Sequence, residues 1–190
     1  MRVPGTVWHD RRAMSTPTSF LEGATAWLYG APDTTTCPTC GFDWDEDAQA
    51  ALAQLRHAPE RYATLLEGRD GTAAVAAGWT ATGYVWHLAD LARGWSERWV
   101  VLADGPGALL AGWDPDELAA ARNYAGMPTV SALWALRQGI DTLTTLTAGL
   151  DLDTPFEHGD WGTGDVAQAL VWIAHEMVHH ELDVDERAGR

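Results

Sequence analysis

Residues 174–187 read A-H-E-M-V-H-H-E-L-D-V-D-E-R, with His175 and His179 four positions apart. On a helix, that spacing stacks two side chains on one face with Cβ atoms about 5–6 Å apart. Two imidazoles so placed can close on one divalent ion at about 2.0–2.1 Å. The stretch continues an apolar pattern through Leu170, Ile173, Ala174, Met177 and Val178. It therefore belongs to an amphipathic helix whose inner face carries the histidines.

Three further stretches show helical periodicity. In Trp79 to Ala103, residues Tyr84, Leu88, Leu91, Trp95, Trp99 and Leu102 step by three or four. Asp45 to Gly68 carries Leu52, Leu55, Tyr62, Leu65 and Leu66, with Pro59 expected to kink or break it near Ala58. Pro128 to Leu150 carries Val130, Leu133, Trp134, Leu136, Ile140, Leu143 and Leu146. Asp114-Pro115 predicts a capped short helix to Arg122, and Thr163 or Asp165 is placed to cap the last long helix. A further short helix is expected over Thr18 to Gly30. Gly83 and Gly94 in the second stretch suggest close helix contacts. No strand-like alternation is evident. The expected fold is all-α, a four-helix bundle over residues 45–188 behind an N-terminal extension over residues 1–44.

Composition narrows function. The chain has 190 residues, 46% of them hydrophobic, enough for one core. Its 27 acidic and 12 basic residues give a net charge of −15, which disfavours nucleic acid and anionic membranes. All basic residues are Arg. No apolar run approaches the roughly 18 residues of a membrane span, and residues 1–13 lack a signal peptide's apolar stretch, so the expected location is cytoplasmic. Met14 is an alternative start. The 11 Trp fall largely in periodic stretches and are read as packing residues.

Two ligands do not complete a site. His87, in Y-V-W-H-L-A-D-L, lies at or beside the inner face of the second helix, next to Tyr84, Leu88 and Leu91. Alone it would read as a hydrogen-bonded core histidine. With His175 and His179 on a facing helix it supplies a third imidazole, leaving open positions for water or substrate as catalytic metal sites do. Asp90 and Glu176 are placed to orient the ligands or assist the chemistry, with solvated helix charges as the alternative. His180 points about 100° from His179 and is read as a non-ligand. His9, His57 and His158 carry no assignment.

The same five residues, His175 to His179, also satisfy H-E-x-x-H, in which two His bind zinc and Glu176 is general base. Leu182 and Asp185 stand where the extended form has Gly and a third His. Cys37-Pro38-Thr39-Cys40-Gly41 is the other motif. It admits three readings: a reduced pair in a turn, a redox pair, or a metal knuckle. A knuckle needs two more ligands, His or Asp from elsewhere or from a second chain. With two cysteines in all, a disulfide framework is excluded.

Trp79 followed by His87 within H-L-A-D resembles the second-helix signature of the DinB/YfiT-like family. I-A-H-E-M-V-H-H-E-L-D-V, preceded by G-T-G-D-V-A-Q-A-L, resembles its fourth-helix signature, and C-P-x-C-G-F-D-W resembles the N-terminal extension of a bacterial subgroup. The resemblance covers roughly Cys37 to Arg187. It implies a four-helix bundle with a three-His divalent site, zinc or nickel, whose ligands carried over are His87, His175 and His179. It also implies a thiol-dependent reaction like that of mycothiol-dependent maleylpyruvate isomerases or bacillithiol S-transferases. The partners would be a small-molecule thiol such as mycothiol and an electrophile, and the assembly a homodimer. The sequence departs from much of the family in having His180-Glu181-Leu182-Asp183 where Arg-Gly-Gln or similar is common, so no substrate is carried over. Without a C-terminal appendage in the sequence, a generic transferase is favoured over an isomerase. The alternatives are a non-catalytic, metal-stabilised binding or stress-response bundle and an H-E-x-x-H hydrolase.

Overall fold

A computed structural model describes residues 35–189. The helix expected over Thr18 to Gly30 lies outside the described residues. The long helices are α1 (Ala48–Leu65), α2 (Ala81–Asp104), α4 (Thr129–Thr147) and α5 (Val166–Arg187), with the short α3 (Pro115–Arg122) between α2 and α4.

The caps explain where the helices start. Asp47, Asp114 and Asp165 each accept backbone N–H groups of the first turn, and Thr80 accepts from Gly83. Asn123 ends α3 in the left-handed conformation, which Asn tolerates. Helix α1 runs unbroken through Pro59. The missing hydrogen bond and the ring's crowding cost about 3 kcal/mol. Burial of Leu52, Leu55, Ala58 and Tyr62 against the bundle outweighs that cost.

The principal helix contacts run α1–α5, α5–α2, α2–α4 and α4–α1, so consecutive helices α1 and α2 stand at opposite corners. This arrangement brings α2 and α5 side by side. Tyr62 Oη donates to the Met177 carbonyl at 2.7 Å and fixes α1 to the middle of α5. Trp99 Nε1 donates to Thr147 Oγ1 at 2.9 Å, joining α2 to α4. The apolar positions anticipated on α2 form the core, with Trp95 and Trp99 fully buried. On α4 the stripe is Ala132, Leu136, Gly139, Ile140 and Leu143. Val130 and Trp134, expected in the core, are 73% and 66% exposed, because they occupy the opposite face of the same helix.

A small sheet was not anticipated. Strands β1 (Leu109–Leu110), β2 (Pro155–His158) and β3 (Gly162–Asp165) form it, β1 and β2 parallel, β2 and β3 antiparallel. The strands are two to four residues long, and only β2 alternates, with Phe156 and His158 buried and Pro155 and Glu157 exposed, too short a run to stand out in the sequence. Strand β3 runs directly into α5, so the sheet sets where that helix begins. His158 is buried in this sheet and stacks on Trp161 at 4.4 Å.

Of the glycines expected to mark close contacts, Gly94 makes room for the Trp113 ring and Gly83 for Trp79. The close helix approach is at Gly139, where an added Cβ would stand 3.1 Å from the Ala89 carbonyl oxygen and 3.1 Å from Ala92 Cβ. Gly139→Leu should therefore destabilise the fold by about 1–3 kcal/mol through overpacking. Chemical denaturation measures this, and an unchanged midpoint would show that the α2–α4 contact can yield.

Burial, and then the Arg98 charge, push the His158 imidazole down to about 4. The unfolded chain, with an ordinary value near 6.5, then binds a proton that the folded chain refuses. The His158 contribution is thus fully present above about 6.5 and is lost as pH falls toward 4, amounting to up to roughly 3 kcal/mol. His158→Gln should flatten the stability profile over that interval relative to the parent chain. Parallel profiles for the two proteins would contradict it.

Candidate metal centres

Helix α5 is enclosed on nearly every side from Val166 to Met177. Such a helix presents functional side chains to more than one neighbour. Residues four apart share a face, and residues one apart are turned by about 100°. Residues 175–180 therefore carry two interleaved pairs: His175 with His179, and Glu176 with His180.

The structure sends these pairs to different places. Glu176 and His180 face α2 and meet His87, the donor atoms of the three lying within 4.8 Å of one another. His175 and His179 face the N-terminal segment and meet Cys37 and Cys40 within the same distance. His179, His180 and Asp183 also group, reusing members of the other two clusters. The expected set of His87, His175 and His179 is not among the groupings of the described residues. The anticipated ligands are all present near metal-binding groups, but they divide between two clusters. His180, read as a non-ligand, takes the place beside His87. The reason is geometric: the pair that faces α2 is offset by one residue from the pair of identical side chains.

In the first cluster, His87 Nε2 lies 3.7 Å and His180 Nε2 3.5 Å from Glu176 Oε2. His180 Nδ1 donates to Asp183 Oδ2 at 2.8 Å. That bond fixes the tautomer that directs Nε2 at the cluster, as an outer carboxylate does for a metal-bound histidine. Burial pushes the His87 imidazole down, favouring the neutral ligand form. Burial alone would raise the Glu176 carboxyl, but the imidazoles of His175, His180 and His87 outweigh it and hold the group well below the usual range. Burial opposes charge on His180 too, yet Asp183 and Glu176 bring it up to about 9. Two carboxylates facing one buried imidazole favour its protonated form, and a divalent ion bound in place of that proton would answer the same charge. A divalent ion fits this donor set, two imidazoles and a carboxylate from two helices, and three protein ligands leave further positions open. Trp79 packs 5.0 Å from the His87 ring and Tyr84 5.0 Å from the His180 ring.

Glu176, expected as a catalytic base, is buried, with His87, His175 and His180 nitrogens 3.7, 3.3 and 3.5 Å from its carboxylate oxygens. Asp90, expected to assist the ligands, instead accepts from Tyr124 Oη at 2.5 Å and pairs with Arg122 and Arg93.

The second cluster is built on the turn after Thr36. Cys37 N donates to the Phe42 carbonyl at 2.8 Å, and Gly41 N donates to the Cys37 carbonyl at 2.8 Å. Thr36 and Asp43 bridge across it. Gly41 has φ +75°, a conformation glycine adopts without cost from a Cβ. Cys37 Sγ lies 3.6 Å from His179 Nδ1. The Trp44 ring packs 4.3 Å and the Phe42 ring 5.5 Å from His175. Cys37 is buried and Cys40 half-buried. Burial, with Cys37 beside it, pushes the Cys40 thiol up to about 11.

One signal in the sequence pointed to this division. A C-P-x-C-G turn lacks two ligands, and the His175–His179 pair could supply them. Once that pair is claimed, the other i, i+4 pair is left for His87.

No protein-family model matches the chain, and no curated protein matches it in sequence. Among solved structures it is similar to YfiT from Bacillus subtilis, described as a probable metal-dependent hydrolase with an unusual four-helix bundle topology. The TM-score is 0.62 at 19% identity, over 74% of this chain and 86% of that one. The likeness is one of fold, and it agrees with the expected DinB/YfiT-type bundle. No helix among the described residues is long and apolar enough to cross a membrane.

The role of Asp183 is open to a direct measurement. Asp183→Asn keeps the side chain's size and removes the carboxylate that orients His180. It should weaken metal binding at the first cluster by about 10–100-fold, read by competition with a chromophoric chelator. Affinity equal to that of the parent chain would detach Asp183 from the centre.

Proposed function

We propose that the chain is a metal-dependent enzyme acting on a low-molecular-weight thiol, an S-transferase or isomerase, with its centre on His87, Glu176 and His180. The observation that carries this reading is the convergence of those three donors from α2 and α5, with the far nitrogen of His180 tied to Asp183. Zinc or nickel, when bound, supplies the Lewis acidity that lowers a thiol's pKa. The protein's own part is to hold the donors. His87 is kept neutral by burial, Glu176 contributes the negative charge, and Asp183 sets the His180 ring.

A thiol proton then needs an acceptor other than Glu176. Asp116 lies at the N-terminus of α3, close enough for its charge to interact with His87, and it bonds the Trp79 side chain. Burial and neighbouring Asp114 push its carboxyl up, which suits a group that takes and returns a proton. Trp79 packs on His87, Tyr84 packs on His180, and the Asp116 charge reaches His87, which puts aromatic and acidic side chains beside the donors for a thiol and its electrophilic partner to meet. The strongly acidic chain leaves nucleic acid and anionic membranes as poor partners, and a homodimer stays within this reading.

Hydrolysis is the second reading, supported by the likeness in fold to YfiT. It would use the same three donors with water in place of the thiol. The H-E-x-x-H version is disfavoured, since Glu176 sits among the donors and His175 and His179 face the cysteines.

The test loads the full chain with zinc or nickel and supplies a thiol of the mycothiol or bacillithiol class with an electrophilic acceptor. Ester or amide substrates are assayed in parallel. His87→Ala and His180→Ala should each lose one metal equivalent and reduce turnover by at least the roughly 10–100-fold that loss of an outer partner costs. Full metal and full turnover in both variants would refute the centre. Turnover of esters or amides without thiols would select the hydrolase. Fully loaded protein inert toward every class would leave a non-catalytic binding or stress-response bundle.

A further inference from the structure

We infer that Cys37, Cys40, His175 and His179 form a second metal site, a closed Cys2His2 zinc site that fastens the N-terminal segment to α5. The inference is independent of the reaction proposed for His87, Glu176 and His180, and shares no donor with that cluster.

The donor chemistry is specific. Two thiols and two imidazoles are the set that structural zinc takes, tetrahedral and without an open position. Thiolate ligands disfavour magnesium and calcium, which prefer oxygen. With Zn–S near 2.3 Å and Zn–N near 2.0–2.1 Å, a tetrahedral S···N edge is about 3.6 Å. One such edge, Cys37 Sγ to His179 Nδ1, is 3.6 Å. All four donor atoms lie within 4.8 Å of one another.

The scaffold is built for the site. The C-P-x-C-G turn, with its Cys37–Gly41 hydrogen bond and left-handed Gly41, turns both sulfurs to one side. Helix α5 presents the two histidines on a single face, and its position is fixed independently by Tyr62 and by β3. Cys37 is 1% and His175 0% exposed, so these donors are withdrawn from water. Phe42 and Trp44 wall the His175 side. Two thiolates would balance the charge of one divalent ion, with no net charge left in the core.

The closure is also long in sequence: Cys37 and His179 are 142 residues apart. A metal clip across that span removes a large share of the unfolded chain's freedom. His175 stands next to Glu176, with Nδ1 3.3 Å from Glu176 Oε1. Holding His175 thereby limits where Glu176 can move, and the closed site acts as a support for the open one.

The experiment uses the full chain loaded with zinc and, separately, with cobalt(II). The parent chain should hold two zinc equivalents and show a near-ultraviolet thiolate-to-cobalt charge-transfer band. The Cys37→Ser/Cys40→Ser double variant should lose that band and one zinc equivalent. His87→Ala should lose the other equivalent and keep the band, so failure of the proposed reaction and failure of this site give different results. Should the double variant not fold, alkylation of the parent chain decides. The thiols are expected to resist iodoacetamide in the zinc-loaded chain and to react once a chelator strips the metal. Cobalt-loaded parent chain without a thiolate band, zinc content unchanged in a folded double variant, or equal alkylation before and after chelation would overturn the site.

Discussion

The structure depends on one constraint: a single buried helix, α5, must satisfy two different neighbours with side chains one residue apart. Its 100° step per residue converts a six-residue run into two faces. One face meets α2 and the other meets the segment before α1. Neither cluster could form if α5 were shifted by one position along its own axis, since each face would then be turned by about 100° from its partner. The register is held by Asp165 at the N-cap, by the Tyr62 hydrogen bond to the Met177 carbonyl, and by the ion pairs Arg61–Glu181 and Arg69–Asp185 toward its C-terminal end.

Burial gives the two clusters different chemistry. Around His87, Glu176 and His180 the protein supplies three donors, with the Glu176 and Asp183 carboxylates on either side of the His180 ring. Around Cys37, Cys40, His175 and His179 it supplies four donors of mixed sulfur and nitrogen, behind aromatic walls. An incomplete coordination shell is suited to binding a substrate, a complete one to holding the fold. Glu176 and His175 are neighbours in sequence, so the two clusters touch at one peptide unit. These two side chains are also in contact, His175 Nδ1 lying 3.3 Å from Glu176 Oε1.

The bundle topology serves the same end. With α1 and α2 at opposite corners, α5 is flanked by both, and the chain ahead of α1 can reach α5 without crossing α2. The small sheet continues this logic, because β3 delivers the chain into α5 at a fixed point. Cys37, Phe42 and Trp44 therefore join the same hydrophobic core as the helices. Likeness in fold to YfiT covers 74% of the chain.

Much of the architecture was legible in the sequence. The three- and four-residue spacing of Leu88, Leu91, Trp95 and Trp99, the Asp114-Pro115 start of α3 and the Asp165 cap are local signals that one stretch of chain carries by itself. The histidines and cysteines were also visible as metal-ligand types, because their chemistry does not depend on context. Which of them share an ion was decided only by tertiary structure. His175/His179 and Glu176/His180 have the same spacing and differ by one residue, and nothing within α5 says which face α2 will occupy. The strands, the outward turn of Val130 and Trp134, and the meeting of Cys37 with His179 have the same origin. Each is set by what packs alongside, and the helical period fixes the angle between faces but not the identity of the neighbour each face will find.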